Sequence, residues 1–128
     1  MNNETIYGEF ARHIDRAARH YNHARRKHPY FCNALFDDRR RRIAGGPEGY
    51  LEMERHKLSS MVKAGIADFV DLAECEVAEM FDAYAKGDNA AAVEECYDII
   101  AVLLRAIDVI EGRQALDKPK KGQKGGAE

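Results

Sequence analysis

The chain has 128 residues, a length typical of one domain with a single hydrophobic core. Hydrophobic residues make up 45% and charged residues 33% of it, which excludes collagen-like and low-complexity proteins. No stretch approaches the roughly 20 apolar residues of a membrane span, and the first residues lack the pattern of a secretory signal. The three cysteines form no Cys-x-x-Cys pair. We therefore expect a cytoplasmic protein without a disulfide framework or a zinc ribbon.

The net charge of −2 is divided unevenly along the chain. Residues 1–63 carry 13 Lys and Arg against 8 Asp and Glu, whereas residues 64–128 carry 7 against 14. Residues 64–112 alone contain 2 basic and 12 acidic side chains. Because so acidic a segment repels itself, it needs a cation nearby, either from the basic half of the chain, from a partner or from a metal ion.

The first predicted element is an amphipathic helix over residues 3–27. Pro29 disfavours helical geometry at the residue before it, so the helix should stop at His28. An irregular segment follows and ends at Gly45-Gly46-Pro47, which is a strong helix-breaking signal. The apolar side chains of the helix recur at spacings of three and four residues: Ile6, Phe10, Ile14, Ala17, Tyr21 and Ala24.

Three further helices are predicted over residues 48–63, 67–86 and 89–111. Gly87 should end the third helix as a left-handed cap, and Asp88 or Asn89 should begin the fourth. Because only about three residues connect them, the third and fourth helices should form an antiparallel hairpin over residues 67–111. The predicted inner side of the second helix consists of Leu51, Leu58, Met61 and Val62, and the main apolar face of the fourth consists of Val93, Cys96, Ile100, Leu103, Leu104 and Ile107.

No segment alternates with the period of two that is typical of a strand, so the fold class is all-α, a helical bundle. Residues 1–112 should form a single helical domain. Residues 113–128, rich in lysine and glycine, should form a flexible basic tail.

Two pairs of carboxylates are the main candidates for chemistry. Glu76 and Glu79 on the third helix, and Glu95 and Asp98 on the fourth, are each spaced i, i+3 and so share one side of their helix. At about 100° per residue, Glu76 and Glu95 lie at the margins of apolar faces, whereas Asp82 points to solvent. Four carboxylates that meet in a partly apolar groove need a counter-charge, and Mg²⁺ prefers such oxygen ligands. Amphipathic helices with acidic flanks are the simpler alternative.

These residues carry a resemblance to a known family. The stretch Glu76-Val-Ala-Glu79, followed by Gly87-Asp88 and by Glu95-Cys-Tyr-Asp98, resembles the MazG-like all-α nucleotide pyrophosphohydrolases. The resemblance covers about residues 67–112. It implies that all four acids bind Mg²⁺, and that a nucleoside triphosphate is cleaved between its α and β phosphates. It also implies dimers or tetramers.

The chain departs from the family pattern at two positions. Members often have a further Glu before the first pair, where this chain has Cys75, and an aromatic residue one turn after the Asp, where it has Val102. We assign Glu79 as the catalytic base that deprotonates the attacking water.

Substrate-binding candidates are cations, because arginine pairs bidentately with phosphate. They are Arg105, two turns after Asp98, and the run of Arg39, Arg40, Arg41 and Arg42. A charged run of this kind is also typical of a solvated loop.

The main alternative function is non-catalytic. Under this hypothesis the protein is a small helical protein that binds nucleic acid or an acidic partner through its basic half and tail. If the protein is instead the pyrophosphohydrolase, we expect a homo-oligomer that does not associate with membranes and has at most weak, salt-sensitive affinity for nucleic acid.

Overall fold

The computed structural model describes residues 3–37 and 45–117. Within these ranges the chain forms four helices and no strand, which confirms the all-α fold class: α1 (Asn3–Lys27), α2 (Pro47–Lys63), α3 (Phe69–Ala85) and α4 (Asn89–Ile110). Each boundary lies within two residues of the predicted one. No described helix is long and apolar enough to cross a membrane.

The chain divides into two compact units, Met1–Leu35 and Phe36–Glu128. The first unit is built on α1, whose last turn is basic and therefore suits the negative end of the helix dipole. The Arg25 guanidinium lies over the ring of Tyr21, 5.6 Å from its centroid. That residues 1–112 form a single domain stays a prediction, and residues 118–128 of the predicted tail lie outside the described residues.

In the second unit, α3 packs against both α2 and α4. Its core joins Tyr50 and Leu51 of α2 to Ala78 and Phe81 of α3. The ring of Phe36 stacks on that of Phe81, with 4.3 Å between centroids. This small core positions α3 between its two neighbours.

Local hydrogen bonds explain where α3 and α4 begin and end. Asp68 and Asp71 cap the start of α3 reciprocally, each side chain accepting from the other residue's backbone N–H. At its end Gly87, with φ of 79°, and Asp88 donate to the carbonyls of Tyr84 and Ala83, the bonding pattern of a Schellman motif. The Asp88 side chain then accepts from Ala91 and caps α4. Both predicted caps are confirmed.

The prediction that Asp82 points to solvent is wrong. Asp82 is buried, and its Oδ2 lies 2.9 Å from Nζ of Lys86, one turn further along α3. The residues of α3 that are buried with it are Cys75, Ala78 and Phe81. Because Ala78 and Phe81 belong to the core shared with α2, the α2-facing side of α3 takes Asp82 out of solvent.

The face of α4 that packs also differs from the predicted one. The described structure exposes Val93, Ile100, Leu103 and Ile107 of the predicted main face. The buried and half-buried positions lie on the adjacent side instead, and include Ala92, Glu95, Ile99, Val102 and Ala106. This rotation takes Glu95 partly out of solvent.

Candidate metal centre

Three of the four predicted metal ligands come together between α3 and α4. Glu76, Glu79 and Glu95 each offer one carboxylate oxygen, and these oxygens all lie within 4.8 Å of one another. The first two residues follow each other by one helical turn on α3, and Glu95 comes from the second turn of α4. We call these three residues the acidic triad.

The acidic triad is partly withdrawn from water. All three residues are half-buried, and one oxygen of Glu76 and one of Glu95 are buried without a hydrogen-bond partner. A buried, unpartnered carboxylate oxygen is costly, so this arrangement needs either a proton or a cation.

The ionisation of the acidic triad reflects the same cost. Burial raises the pKa of Glu95 to about 7, and a hydrogen bond to Glu79 and the charges of Glu79, Asp98 and Glu76 add to the effect. Burial, followed by the charge of Glu79, also raises the pKa of Glu76. Near neutral pH the metal-free site therefore retains a proton for part of the time.

Asp98, the fourth predicted ligand, lies at the margin of this cluster. It is exposed and does not belong to the acidic triad, but its charge contributes to the raised pKa of both Glu76 and Glu95. Asp98 is thus near enough to act on the site electrostatically.

The two residues before the first pair of acids, Glu74 and Cys75, lie in different environments. Cys75 is buried, and burial together with the charges of Glu79 and Glu76 raises the pKa of its thiol. Glu74 instead accepts a hydrogen bond of 3.1 Å from Lys57 of α2. Glu74 therefore links α3 to α2 and is not a member of the acidic triad.

Arg55 of α2 is a site residue that the sequence analysis missed. Its Nη2 atom lies 3.6 Å from Oε1 of Glu79. The available signal was its spacing: Arg55 lies four residues after Leu51 and three before Leu58, which places it on the inner side of the second helix.

Arg105, the predicted phosphate-binding cation that the structure describes, does not join the acidic triad. Arg105 lines a separate groove of about 510 Å³ between the start of α3 and the end of α4, together with Phe69 and Val109. Arg39, Arg40, Arg41 and Arg42 lie outside the described residues.

The chemistry of the acidic triad fits a hard divalent cation. Its donors are all carboxylate oxygens, which Mg²⁺ prefers, and two of its oxygens are buried and unpartnered. Histidine and cysteine ligands, which zinc favours, are not part of the cluster formed by the described residues.

Comparisons of the chain with protein-family models, with curated proteins and with solved structures find no significant match.

Proposed function

We propose that the protein hydrolyses a nucleoside triphosphate to the monophosphate and pyrophosphate in a reaction that depends on Mg²⁺. The observation that carries the proposal is the acidic triad, which places three carboxylate oxygens within 4.8 Å and buries two carboxylate oxygens without partners. The two acid motifs that supply it, Glu76-x-x-Glu79 and Glu95-x-x-Asp98, have the spacing of the MazG-like enzymes that the chain resembles.

We infer that α3 and α4 form an antiparallel pair, and this pairing accounts for the site. Three residues connect the two helices, and the helices pack against each other. Glu79 meets Glu95, and the Cys96 thiol lies 3.1 Å from the sulfur of Met80. Such a pair brings the two acid motifs together without any other element.

In the proposed reaction Glu76, Glu79 and Glu95 hold the metal, with Asp98 at the margin. When bound, Mg²⁺ supplies positive charge that offsets the charge of the triphosphate and of the acids themselves. Glu79 accepts the proton of the water whose oxygen bonds to the α-phosphorus. The bond from that phosphorus to the bridging oxygen breaks, and pyrophosphate leaves.

The test is to incubate the pure protein with Mg²⁺ and each of the common ribo- and deoxyribonucleoside triphosphates, and to measure pyrophosphate. At least one substrate should release pyrophosphate, and Glu79→Ala should abolish the release while the helical content is kept. Glu94→Ala is the matched control, because Glu94 is an exposed acid next to Glu95 and lies outside the acidic triad.

No pyrophosphate from any substrate, together with no Mg²⁺-dependent gain in thermal stability, would contradict the proposal. The alternative of a non-catalytic helical binding protein would then stand in its place.

We also propose that the protein is a homo-oligomer in which a second copy covers the exposed face of α4. Six large apolar side chains on that helix are between 37% and 83% exposed, at spacings of three and four residues. We call them the α4 apolar face: Val93, Tyr97, Ile100, Leu103, Ile107 and Ile110. A contiguous apolar stripe of this length is unusual on a monomer and is typical of an interface between helices.

A further inference from the structure

Among the described residues, Arg55 is a cation that lies beside the acidic triad. It lies on α2, and its Nη2 atom is 3.6 Å from Oε1 of Glu79. The Arg55 side chain is 60% exposed, whereas that of Glu79 is 26% exposed. At 3.6 Å the two groups attract each other but are too far apart for a hydrogen bond, so the contact with Glu79 uses none of the N–H donors of the guanidinium.

Lys57 and Lys86, two other described cations of the same unit, form closer ion pairs with acids other than the acidic triad. Lys57, half a turn from Arg55 on α2, lies 2.9 Å from Glu54 and 3.1 Å from Glu74. Lys86 lies 2.9 Å from the buried Asp82. Arg55 thus combines proximity to the acidic triad with exposure and with the loosest of these ion pairs.

From this placement we infer that Arg55 binds a phosphate group of the substrate, an inference that rests on the proposed function. A polyphosphate that approaches three carboxylates is repelled unless cations outweigh them. A guanidinium offers paired donors that match phosphate oxygens, and its charge persists at any physiological pH. Arg55 pairs with Glu79 when the site is empty and turns to the phosphate when metal and nucleotide are bound.

The experiment measures the binding of inorganic pyrophosphate, in the presence of Mg²⁺, by isothermal titration calorimetry. The proteins are the wild type, Arg55→Ala, Arg55→Lys and the control Lys63→Ala. Lys63 lies on the same helix about 12 Å further along its axis, so the control removes one charge without touching the site. Melting curves check that each variant is folded.

Arg55→Ala should weaken pyrophosphate binding roughly tenfold, the size expected for a hydrogen bond to a charged group. Arg55→Lys should recover part of the loss, and Lys63→Ala should bind like the wild type. With a nucleotide that turns over, KM should rise by a similar factor in Arg55→Ala while kcat changes by less. Binding of Mg²⁺ alone should be unchanged or tighter, because a competing cation has gone.

Two results would overturn the inference. In the first, Arg55→Ala binds pyrophosphate as tightly as Lys63→Ala does. In the second, it loses Mg²⁺ binding as much as pyrophosphate binding, which would make Arg55 a support for Glu79. If the wild type binds neither Mg²⁺ nor pyrophosphate, the proposed function fails as well.

Discussion

Glu95 carries a carboxyl group whose pKa lies well above that of an ordinary surface acid. Its pKa rises from 4.5 to about 7, chiefly because the carboxyl is partly buried and also because it faces other acids. Between these two pH values the folded protein holds a proton that the unfolded chain has released. The free energy of unfolding of the metal-free protein should therefore fall as the pH rises from about 4.5 to about 7.

Thermal melts of the metal-free protein across this pH interval check that prediction. The raised pKa of Glu95 corresponds to a loss of roughly 1–2 kcal/mol, after allowance for solvent screening of a half-buried group. Glu95→Gln should reduce the loss and be more stable than the wild type at pH 7.5. Glu94→Gln removes a neighbouring exposed acid, and this variant should lose stability with rising pH as the wild type does. Equal pH profiles for both variants would contradict the assignment to Glu95.

Asp98 and Glu76 lie in different environments, although both belong to the predicted set of metal ligands. Glu76 contributes an oxygen to the acidic triad and has one buried oxygen without a partner, whereas Asp98 is exposed. Removing the charge of Asp98 should weaken Mg²⁺ binding by roughly tenfold, as for a residue that acts through other ligands.

Mg²⁺ titrations followed by calorimetry or by thermal shift would rank the two positions. Glu76→Gln should lose more affinity than Asp98→Asn, because it removes a ligand from the centre of the site. The reverse ranking would show that the cation lies nearer to Asp98 than to the acidic triad.

The turn between α3 and α4 determines how the acid motifs face each other, and Gly87 is its most constrained residue. Its φ of 79° lies in the left-handed region, and a Cβ atom added there would meet no other atom within 4 Å. Gly87→Ala should therefore cost about 1 kcal/mol in stability through backbone strain alone. Gly87→Asn should cost less, because asparagine tolerates this conformation.

Chemical denaturation of the two Gly87 variants measures these costs. If alanine proved as stable as glycine, the turn would not be under the constraint that the Schellman hydrogen bonds indicate.

The helices themselves were predictable because their signals are local. Apolar periodicity, Pro47 and Gly87 determine where helices begin and end, and these signals act within a few residues. The packing face of α4 was not predictable, because this helix is apolar on more than one side and periodicity alone cannot show which side is buried. The same limit explains why Arg55 was missed, because its partner Glu79 is 24 positions away in the sequence and on another helix.

Glu76, Glu79 and Glu95 were predictable because spacing places them on helix sides that a short connection brings together. The exposure of Asp98 was not, because it depends on how far α4 is rotated about its axis. The prediction that Asp82 points to solvent was wrong for a related reason. Packing against α2 covers a side of α3 that the sequence pattern marks as polar.

The buried core of the second unit is small compared with the apolar surface that this unit exposes. Its buried cluster consists of Tyr50, Leu51, Ala78 and Phe81, whereas the six residues of the α4 apolar face remain in contact with solvent. Covering these side chains would stabilise the protein by about 25 cal/mol for each Å² of apolar surface removed from water. This is the physical reason to expect self-association.

Light scattering at micromolar concentration should therefore give a mass at least twice that of one chain. Ile100→Asp places a charge in the middle of the α4 apolar face, so it should shift the protein towards the monomer while the helical content is kept. Ala101→Asp is the matched control, because Ala101 is exposed on the polar side of the same helix and its substitution should leave the mass unchanged. A wild-type monomer at these concentrations would contradict the proposal, and equal dissociation by both substitutions would show that the α4 apolar face is not the interface.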